Sequence, residues 1–305
     1  MREFYERNGG PILEKAKAIK LFKKKELKEI LKSKNLVGGK GFGEVYKGFL
    51  DNKQVAVKRL KSGGAQENNE QFANEIIIQS QVIHKNIVKL IGCCLEVDTP
   101  ILVYEYLPKG SLEDILHGSK KVSPLNINVR LSIAAQLADG LAYMHSKTNN
   151  KIIHGNVKPA NILLDDNFMP KISNLGVLRL FARDKQADNA IDDWSYVDPA
   201  VYMQTRLLTE KSDVYSFGVV ILELISRKKA ACYDNNSLAR NFLEAYKEKR
   251  VDELFDNEIA QTSNLELLHS LAKIVVECLN LDADQRPSMI DVAERLLKLN
   301  RSRNP

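Results

Sequence analysis

In the stretch Gly38-Gly39-Lys40-Gly41-Phe42-Gly43-Glu44-Val45, glycines remove the side chains that would hold backbone N–H groups away from a polyphosphate. A hairpin turn with no ligand would have the same composition, so the string gains its meaning from the residues after it. The run Val55-Ala56-Val57-Lys58 comes next, and a lysine at that point can bridge two phosphates of a bound nucleotide. Glu75 is the natural ion-pair partner for it. Two later stretches, His154-Gly155-Asn156-Val157-Lys158-Pro159-Ala160-Asn161 and Lys171-Ile172-Ser173-Asn174-Leu175-Gly176, set asparagine amides among small and apolar residues. An amide can accept a hydrogen bond but is no base near neutral pH, and it is a weak ligand for a hard cation.

The elements that must position these residues change character at about Pro108. Before it, short β-branched runs predict strands at Glu44–Lys47, Gln54–Lys58, Ile87–Leu90 and Ile101–Tyr104. One helix interrupts them, from about Asn69 to Val82, with Phe72, Ile76 and Ile83 at helical spacing. After Pro108, amphipathic or buried helices are predicted at Val129–His145, Thr209–Ile225, Leu238–Lys249, Leu265–Leu279 and Ser288–Leu299. Thr209 before Glu210, and Pro287-Ser288, read as helix starts. A small sheet-rich lobe therefore precedes a larger helical one.

The chain has 305 residues, a 44% apolar fraction and a net charge of +6, which suits a globular protein of one large or two small packed lobes. The longest apolar stretch, Val214–Ile225, is too short and too interrupted to cross a bilayer. The start, Met1-Arg2-Glu3-Phe4, has neither a signal-peptide core nor the glycine needed for myristoylation, so a cytoplasmic location is expected. Cys93, Cys94, Cys232 and Cys278 lack metal-ligand spacing and read as reduced structural thiols.

The basic charge concentrates in Lys15, Lys17, Lys20, Lys23, Lys24, Lys25, Lys28, Lys32 and Lys34. Interleaved Glu14, Glu26 and Glu29, with an apolar stripe of Leu21, Leu27, Ile30 and Leu31, suit a solvated helical face flanking the core. The alternative is peripheral contact of Lys15–Lys34 with an anionic membrane, at the inner face of the plasma membrane, or with a partner protein. Without an interleaved aromatic platform, nucleic acid is not an expected partner.

The chain resembles the plant receptor-like Ser/Thr protein kinases, with the cytoplasmic domain of wall-associated kinases as the nearest type. The resemblance is carried by Phe72-Ala73-Asn74-Glu75, by His84-Lys85-Asn86-Ile87-Val88-Lys89-Leu90-Ile91-Gly92-Cys93-Cys94, by Leu102-Val103-Tyr104-Glu105-Tyr106 and by Thr209-Glu210-Lys211-Ser212-Asp213-Val214-Tyr215-Ser216-Phe217-Gly218. It implies an α+β, bilobal protein kinase fold. Residues 1–34 would be a basic juxtamembrane-like segment, 35–107 the N-lobe with its regulatory helix, 108–300 the C-lobe and 301–305 a tail. It also implies a nucleotide site at Val37, Gly38, Lys40, Gly43, Val45, Ala56, Lys58, Glu75, Tyr104, Glu105, Leu107 and Leu163. Tyr104 would be the gatekeeper, the backbones of Glu105 and Leu107 would meet the adenine, and Val45, Ala56 and Leu163 would sandwich it. Catalytic positions would be Asn156, Lys158 and Asn161, metal positions Asn161 and Asn174, and structural anchors Asp213 and Arg286.

Several residues depart from that pattern. Asn156 has no basic site near neutral pH, and positioned general bases contribute about 10²- to 10⁴-fold to rate. The Asn174 amide is a weaker ligand for a hard cation than a carboxylate. Lys40 fills the middle glycine position, Gly155 the arginine that receives a loop phosphate, and Leu175 the phenylalanine beside the metal ligand. Ala200, in Asp198-Pro199-Ala200, occupies the place of the glutamate that closes the activation segment, so Arg286 is expected to lose its partner. Gln79 replaces an apolar residue and needs a hydrogen bond, with Glu75 one turn away as the expected partner.

The expectation is a pseudokinase acting as an adaptor or decoy for an active receptor-like kinase or immune receptor, with weak ATP binding and poor Mg²⁺ or Mn²⁺ binding. Two alternatives stay open: a slow, unconventional Ser/Thr kinase working by electrostatic positioning, and a nucleotide-gated switch.

Overall fold

A computed structural model of the chain describes residues 2–39, 43–60, 69–118, 125–148, 151–175, 193–200, 207–230 and 237–303, without the side chains of 69–72, 74 and 75. The Lys40, Phe42, Gly176, Asp188, Asp192, Val201 and Cys232 positions, and the side chains of Phe72 and Glu75, lie outside the described residues. The chain divides into two compact units, residues 1–107 with 174–192, and residues 108–173 with 193–305. Pro108, where the sequence pattern changes, opens the second unit.

The first unit holds α1 (Arg2–Arg7), α2 (Gly10–Ala16), β1 (Lys20–Leu21), α3 (Lys24–Leu27), β2 (Leu36–Gly38), β3 (Gly43–Leu50), β4 (Lys53–Leu60), α4 (Asn69–Gln81), β5 (Leu90–Cys94) and β6 (Ile101–Glu105). Its six-stranded sheet runs β1-β5-β6-β4-β3-β2. The β1 strand is parallel to β5, and every other pairing is antiparallel. Between β3 and β4 the chain reverses through Asp51 and Asn52, both at positive φ (49° and 59°). This backbone matches the twist of a two-residue hairpin and is tolerated by short polar side chains.

One strand is displaced from its sequence expectation. Ile87 N–H donates to the His84 carbonyl and Asn86 N–H to His84 Nδ1, so the chain is still turning there. Strand pairing then starts where Leu90 meets Tyr104. Ile83 is also misassigned to the apolar face of α4: the helix ends at Gln81, and Ile83 is 80% exposed.

The basic N-terminal residues do not form one helical face, which corrects that reading. They build α2, β1 and α3 in turn because their apolar residues have separate places to bury. Leu13 packs in a cluster with Ile76, Leu90 and Leu102, whereas Phe22, Leu27 and Ile30 pack with Tyr46, Val57 and Val103. The buried Asn8 amide donates to the carbonyls of Leu95 (3.0 Å) and Val97 (2.8 Å), satisfying edge carbonyls of the chain that leaves β5. Cys93 and Cys94 are free and buried in β5, and Cys278 is free and buried in the second unit.

The second unit comprises α5 (Leu112–His117), α6 (Ile127–Ser146), the hairpin β7 (Ile162–Leu164) and β8 (Pro170–Ile172), α7 (Glu210–Ser226), α8 (Leu238–Lys247), α9 (Leu265–Cys278) and α10 (Met289–Arg303). Helix α5 lay outside the sequence reading, although Ser111 and Asp114 cap it reciprocally. The Thr209 side chain caps α7 by accepting from Ser212 N–H, and Ser288 accepts from Asp291 N–H at the start of α10. Nearly all of α7 is buried, packed by α9 and α6, with α10 also lying on α6. Among the described residues no helix is long and apolar enough to cross a membrane.

Leu13 tests whether the N-terminal segment is structural. Leu13→Ala should cost about 2 to 5 kcal/mol in urea unfolding, as for other fully buried leucines. A cost under about 0.5 kcal/mol, the range of surface substitutions, would mean a peripheral tail.

Candidate functional site

In the first unit, β-sheet register gathers four of the expected nucleotide contacts. Val45 lies opposite Lys58 across β3 and β4, and Ala56 opposite Tyr104 across β4 and β6. Directly opposed residues and residues two apart share a face, so Val45, Ala56, Lys58 and Tyr104 present their side chains together. Gly38 pairs with Val45 on β2, Val37 beside it is 55% exposed, and Gly43 opens β3. Glu105 ties β6 to the approach to β5, its N–H donating to the Lys89 carbonyl (3.1 Å) and its carboxylate accepting from Lys89 N–H (2.8 Å). Leu107, also buried, ends the unit's first segment.

Lys58 is 7% exposed, and its ammonium donates to Asn174 Oδ1 at 2.7 Å. Asn174 adopts a left-handed backbone (φ 60°), which asparagine tolerates better than most residues. Burial pushes the Lys58 ammonium down to about 8 from 10.5. The amide oxygen that meets it is a dipole rather than a full charge, so it offsets less of the desolvation than a carboxylate would.

Next to this contact, Gln79 forms an unexpected latch. Its Nε2 donates to the Leu175 carbonyl at 2.7 Å, and its Oε1 accepts from the Tyr104 hydroxyl at 3.4 Å. These partners lie 96 and 25 residues away in sequence, where a one-turn spacing argument could not find them; the side chain of the expected partner, Glu75, lies outside the described residues. Gln79 thus links α4, the residue after Asn174 and the gatekeeper position, and satisfies a buried amide that would otherwise cost about 1 to 3 kcal/mol.

In the second unit the loop 154–161 hangs from α7. Asp213 accepts from Gly155 N–H (2.7 Å), His154 N–H (2.8 Å) and His145 Nε2 (2.9 Å). Burial alone would push its carboxyl up, but the His145 hydrogen bond and charge, with His154 and Gly155, hold it below its ordinary value. His154 is buried and its imidazole is pushed down by desolvation. In the neutral form its Nδ1 accepts from Asn156 N–H (3.1 Å), leaving Nε2–H to donate to the Ser173 carbonyl (2.9 Å). Gly155 sits at φ 75°, a left-handed conformation that glycine takes without a Cβ clash. Asn161 Nδ2 donates to the Asn156 carbonyl (2.8 Å), and Ser173 N–H and Oγ–H both donate to the Asn161 carbonyl. Lys158 and Asn161 are both buried, and Leu163 on β7 bridges to Ser111.

The anchor Arg286 keeps a carboxylate, contrary to expectation. Its two terminal nitrogens donate to Asp198 Oδ2 (2.5 Å) and Oδ1 (2.9 Å), and both side chains are fully buried. Asp198, two residues before Ala200, supplies the charge that Ala200 lacks, and Asp198 Oδ1 also accepts from Ala200 N–H (2.9 Å). Nearby, the Tyr196 hydroxyl donates to Glu223 Oε1 (2.5 Å), and the Ser216 hydroxyl to the Tyr196 carbonyl (2.7 Å). Tyr196, Glu223 and His145 were not singled out in the sequence. The carboxylate in Asp198-Pro199-Ala200 was the available signal for Arg286.

The comparisons with known proteins agree with this geometry. A family model for protein tyrosine and serine/threonine kinases matches residues 31–296. Wall-associated receptor kinase-like 16 of Arabidopsis thaliana is 41% identical over 96% of this chain and 71% of its own length. Wall-associated receptor kinase 4 of Arabidopsis thaliana is 40% identical over 97% of this chain, which spans only 42% of that protein. Among solved structures, the pseudokinase domain of BIR2, an immune regulator of the RLK/Pelle family, superposes with a TM-score of 0.80 at 27% identity, covering 97% of this chain and 94% of the other.

The site yields two testable outcomes. Asp198→Asn leaves the buried Arg286 charge uncompensated and should cost about 3 to 5 kcal/mol in denaturant unfolding, while an unchanged midpoint would deny the pair a structural role. For Lys58, the folded pKa lies below the unfolded one, so between pH 8 and 10.5 the unfolded chain binds more protons. This group's destabilising contribution is therefore fully present below pH 8 and disappears as pH rises to 10.5. In a ¹³C NMR titration the Lys58 Cε signal should turn over near pH 8, and Asn174→Asp should raise that midpoint by about 1 to 3 pH units. An unshifted midpoint in the variant would mean that residue 174 does not set the charge on Lys58.

Proposed function

Because the chain belongs to the protein tyrosine and serine/threonine kinase family, in its wall-associated receptor kinase-like group, we propose that it is a catalytically impaired kinase domain, a pseudokinase. Kinase domains of this family generally bind ATP and Mg²⁺. The observation that carries the proposal is the pair Asn156 and Asn174, two amides set in a scaffold whose Lys58, Asp213 and Arg286 all hold their polar partners. Without a carboxylate at 156, no side chain at that position accepts the substrate hydroxyl proton.

The metal position fits poorly. Asn174 Oδ1 already accepts the Lys58 ammonium, and a cation close to that ammonium would be repelled. Asn161, the other amide at a metal position, brings no charge. Nucleotide binding on this reading is weak and draws little from Mg²⁺ or Mn²⁺, with Lys58 and Lys158 as phosphate-facing charges. A domain of this kind acts through its surface, as an adaptor or decoy in cell-surface or immune signalling, with an active receptor-like kinase or an immune receptor as partner. The structural neighbour BIR2, described as a pseudokinase and an immune regulator, supports that reading by likeness. Its place of work on this reading is the cytoplasm, with contact of Lys15–Lys34 with an anionic lipid surface as the alternative that would bring it to the inner face of the plasma membrane.

The competing reading, a slow enzyme that positions phosphates by charge, is favoured by the burial of Lys158 and Asn161. Phosphoryl transfer depends mostly on positioning and electrostatics. Incorporation of radiolabelled phosphate separates the two. The pseudokinase reading predicts that the native chain and Lys58→Ala label equally, at background. Labelling that needs ATP and Mg²⁺ and vanishes in Lys58→Ala would establish the enzyme instead. In parallel, millimolar ATP should stabilise the native fold by no more than about 1 kcal/mol if the dissociation constant is itself millimolar, with or without the metal.

A further inference from the structure

The sheet of the first unit has a second face, opposite the one that carries Val45, Ala56 and Lys58. Glu44 pairs with Arg59 across β3 and β4, and Arg59 with Ile101 across β4 and β6. This row is one residue out of step with Val45, Lys58 and Leu102, so it faces the other side of the sheet. There, α3 and the chain after β5 enclose a groove of about 1170 Å³. Its floor includes the apolar Leu31, Val97 and Ile101, and its rim carries Lys23, Lys24, Lys25 and Lys28.

The charges of the groove do not cancel. Five cationic side chains, Lys23, Lys24, Lys25, Lys28 and Arg59, line it against three carboxylates: Glu44, which accepts from Arg59 and Tyr46, Asp98, which accepts from Arg7, and Glu96, which accepts from the backbone N–H of Lys24 and so keeps its charge. Arg59 is committed to Glu44 in return. The four rim lysines are exposed, and among the described residues none of them forms an ion pair. Four ammonium groups therefore surround an apolar floor, on an element fixed from beneath by Leu27 and Ile30.

We propose that this groove is a docking site for an acidic segment of a partner protein that carries apolar residues between its carboxylates. Charge complementarity selects the acidic chain, the floor selects its apolar side chains, and the concave shape favours an inserted peptide over a flat lipid surface. A bound segment would sit across the sheet from Lys58, leaving the nucleotide face clear. The inference stands whether or not catalysis is retained.

The test uses the whole chain and a short fluorescein-labelled peptide of repeated glutamate pairs separated by single leucines, with binding followed by anisotropy at low and physiological salt. Saturable binding is expected, with K23E/K25E/K28E weakening it about tenfold or more. K15E/K17E, exposed but outside the groove, should leave it within about twofold. Val97→Asn should weaken the leucine-bearing peptide and leave a glycine-substituted one unchanged. Equal loss with K15E/K17E would reduce the effect to unspecific charge and overturn the site. Binding to phosphatidylserine vesicles but not to the peptide would overturn it in favour of a membrane surface, and binding to neither would overturn it outright.

Discussion

One buried carboxylate, Asp213, governs the geometry of the loop in which catalysis would occur. It accepts from two successive backbone N–H groups, of His154 and Gly155, and from the His145 ring. An aspartate buried in the first turn of a helix is costly to desolvate, and only a full set of donors makes it tolerable. Two of those donors are supplied by the loop itself and the third by His145 at the end of α6, so both helices and the loop fold as one arrangement. His154 extends it, accepting from Asn156 N–H and reaching the Ser173 carbonyl. The backbone of the loop 154–161 is therefore held in place without reference to the side chain at 156.

On the proposed reading, that separation explains how asparagine can stand at 156 and 174 while the described contacts around them persist. Asparagine has almost the size and shape of aspartate, so packing is spared while charge is lost. At 156 the loss removes a base. At 174 the amide oxygen still meets the Lys58 ammonium, so a structural contact outlives the electrostatics that would accompany metal binding. Around it, the Gln79 latch to the Leu175 carbonyl and the Tyr104 hydroxyl does with hydrogen bonds what apolar packing would otherwise do. The first unit is thereby cross-linked through polar groups that need no ligand to be satisfied.

Much of this was legible in the sequence where chemistry depends on residue type at fixed spacing. Lys58 was singled out that way, Tyr104, Asn156, Asn161, Asn174 and Asp213 took their expected roles from the family resemblance, and the helical spans of α6, α7, α9 and α10 came from periodicity. What escaped was decided by partners far apart in sequence. The Gln79 amide selected Leu175 and Tyr104, and Arg286 selected Asp198, because burial makes any available acceptor valuable. The N-terminal lysines obscured Leu13, Leu27 and Ile30, whose burial makes residues 2–34 part of the first unit's core. Local pattern gives charge and period, whereas the choice between core and surface belongs to tertiary packing. The start of β5 was missed for the same reason, since pairing with β6 fixed it rather than the β-branched run before it.

The proposed reading holds that the amides at 156 and 174 are the decisive departures from a working kinase. A single-turnover phosphoryl-transfer measurement on the native chain, Asn156→Asp, Asn174→Asp and the double variant tests it most directly. The account predicts background transfer for the native chain and a gain of about 10²-fold or more in the double variant, exceeding the product of the single gains. A double variant that folds and stays at background, or a native chain as fast as the double variant, would contradict it.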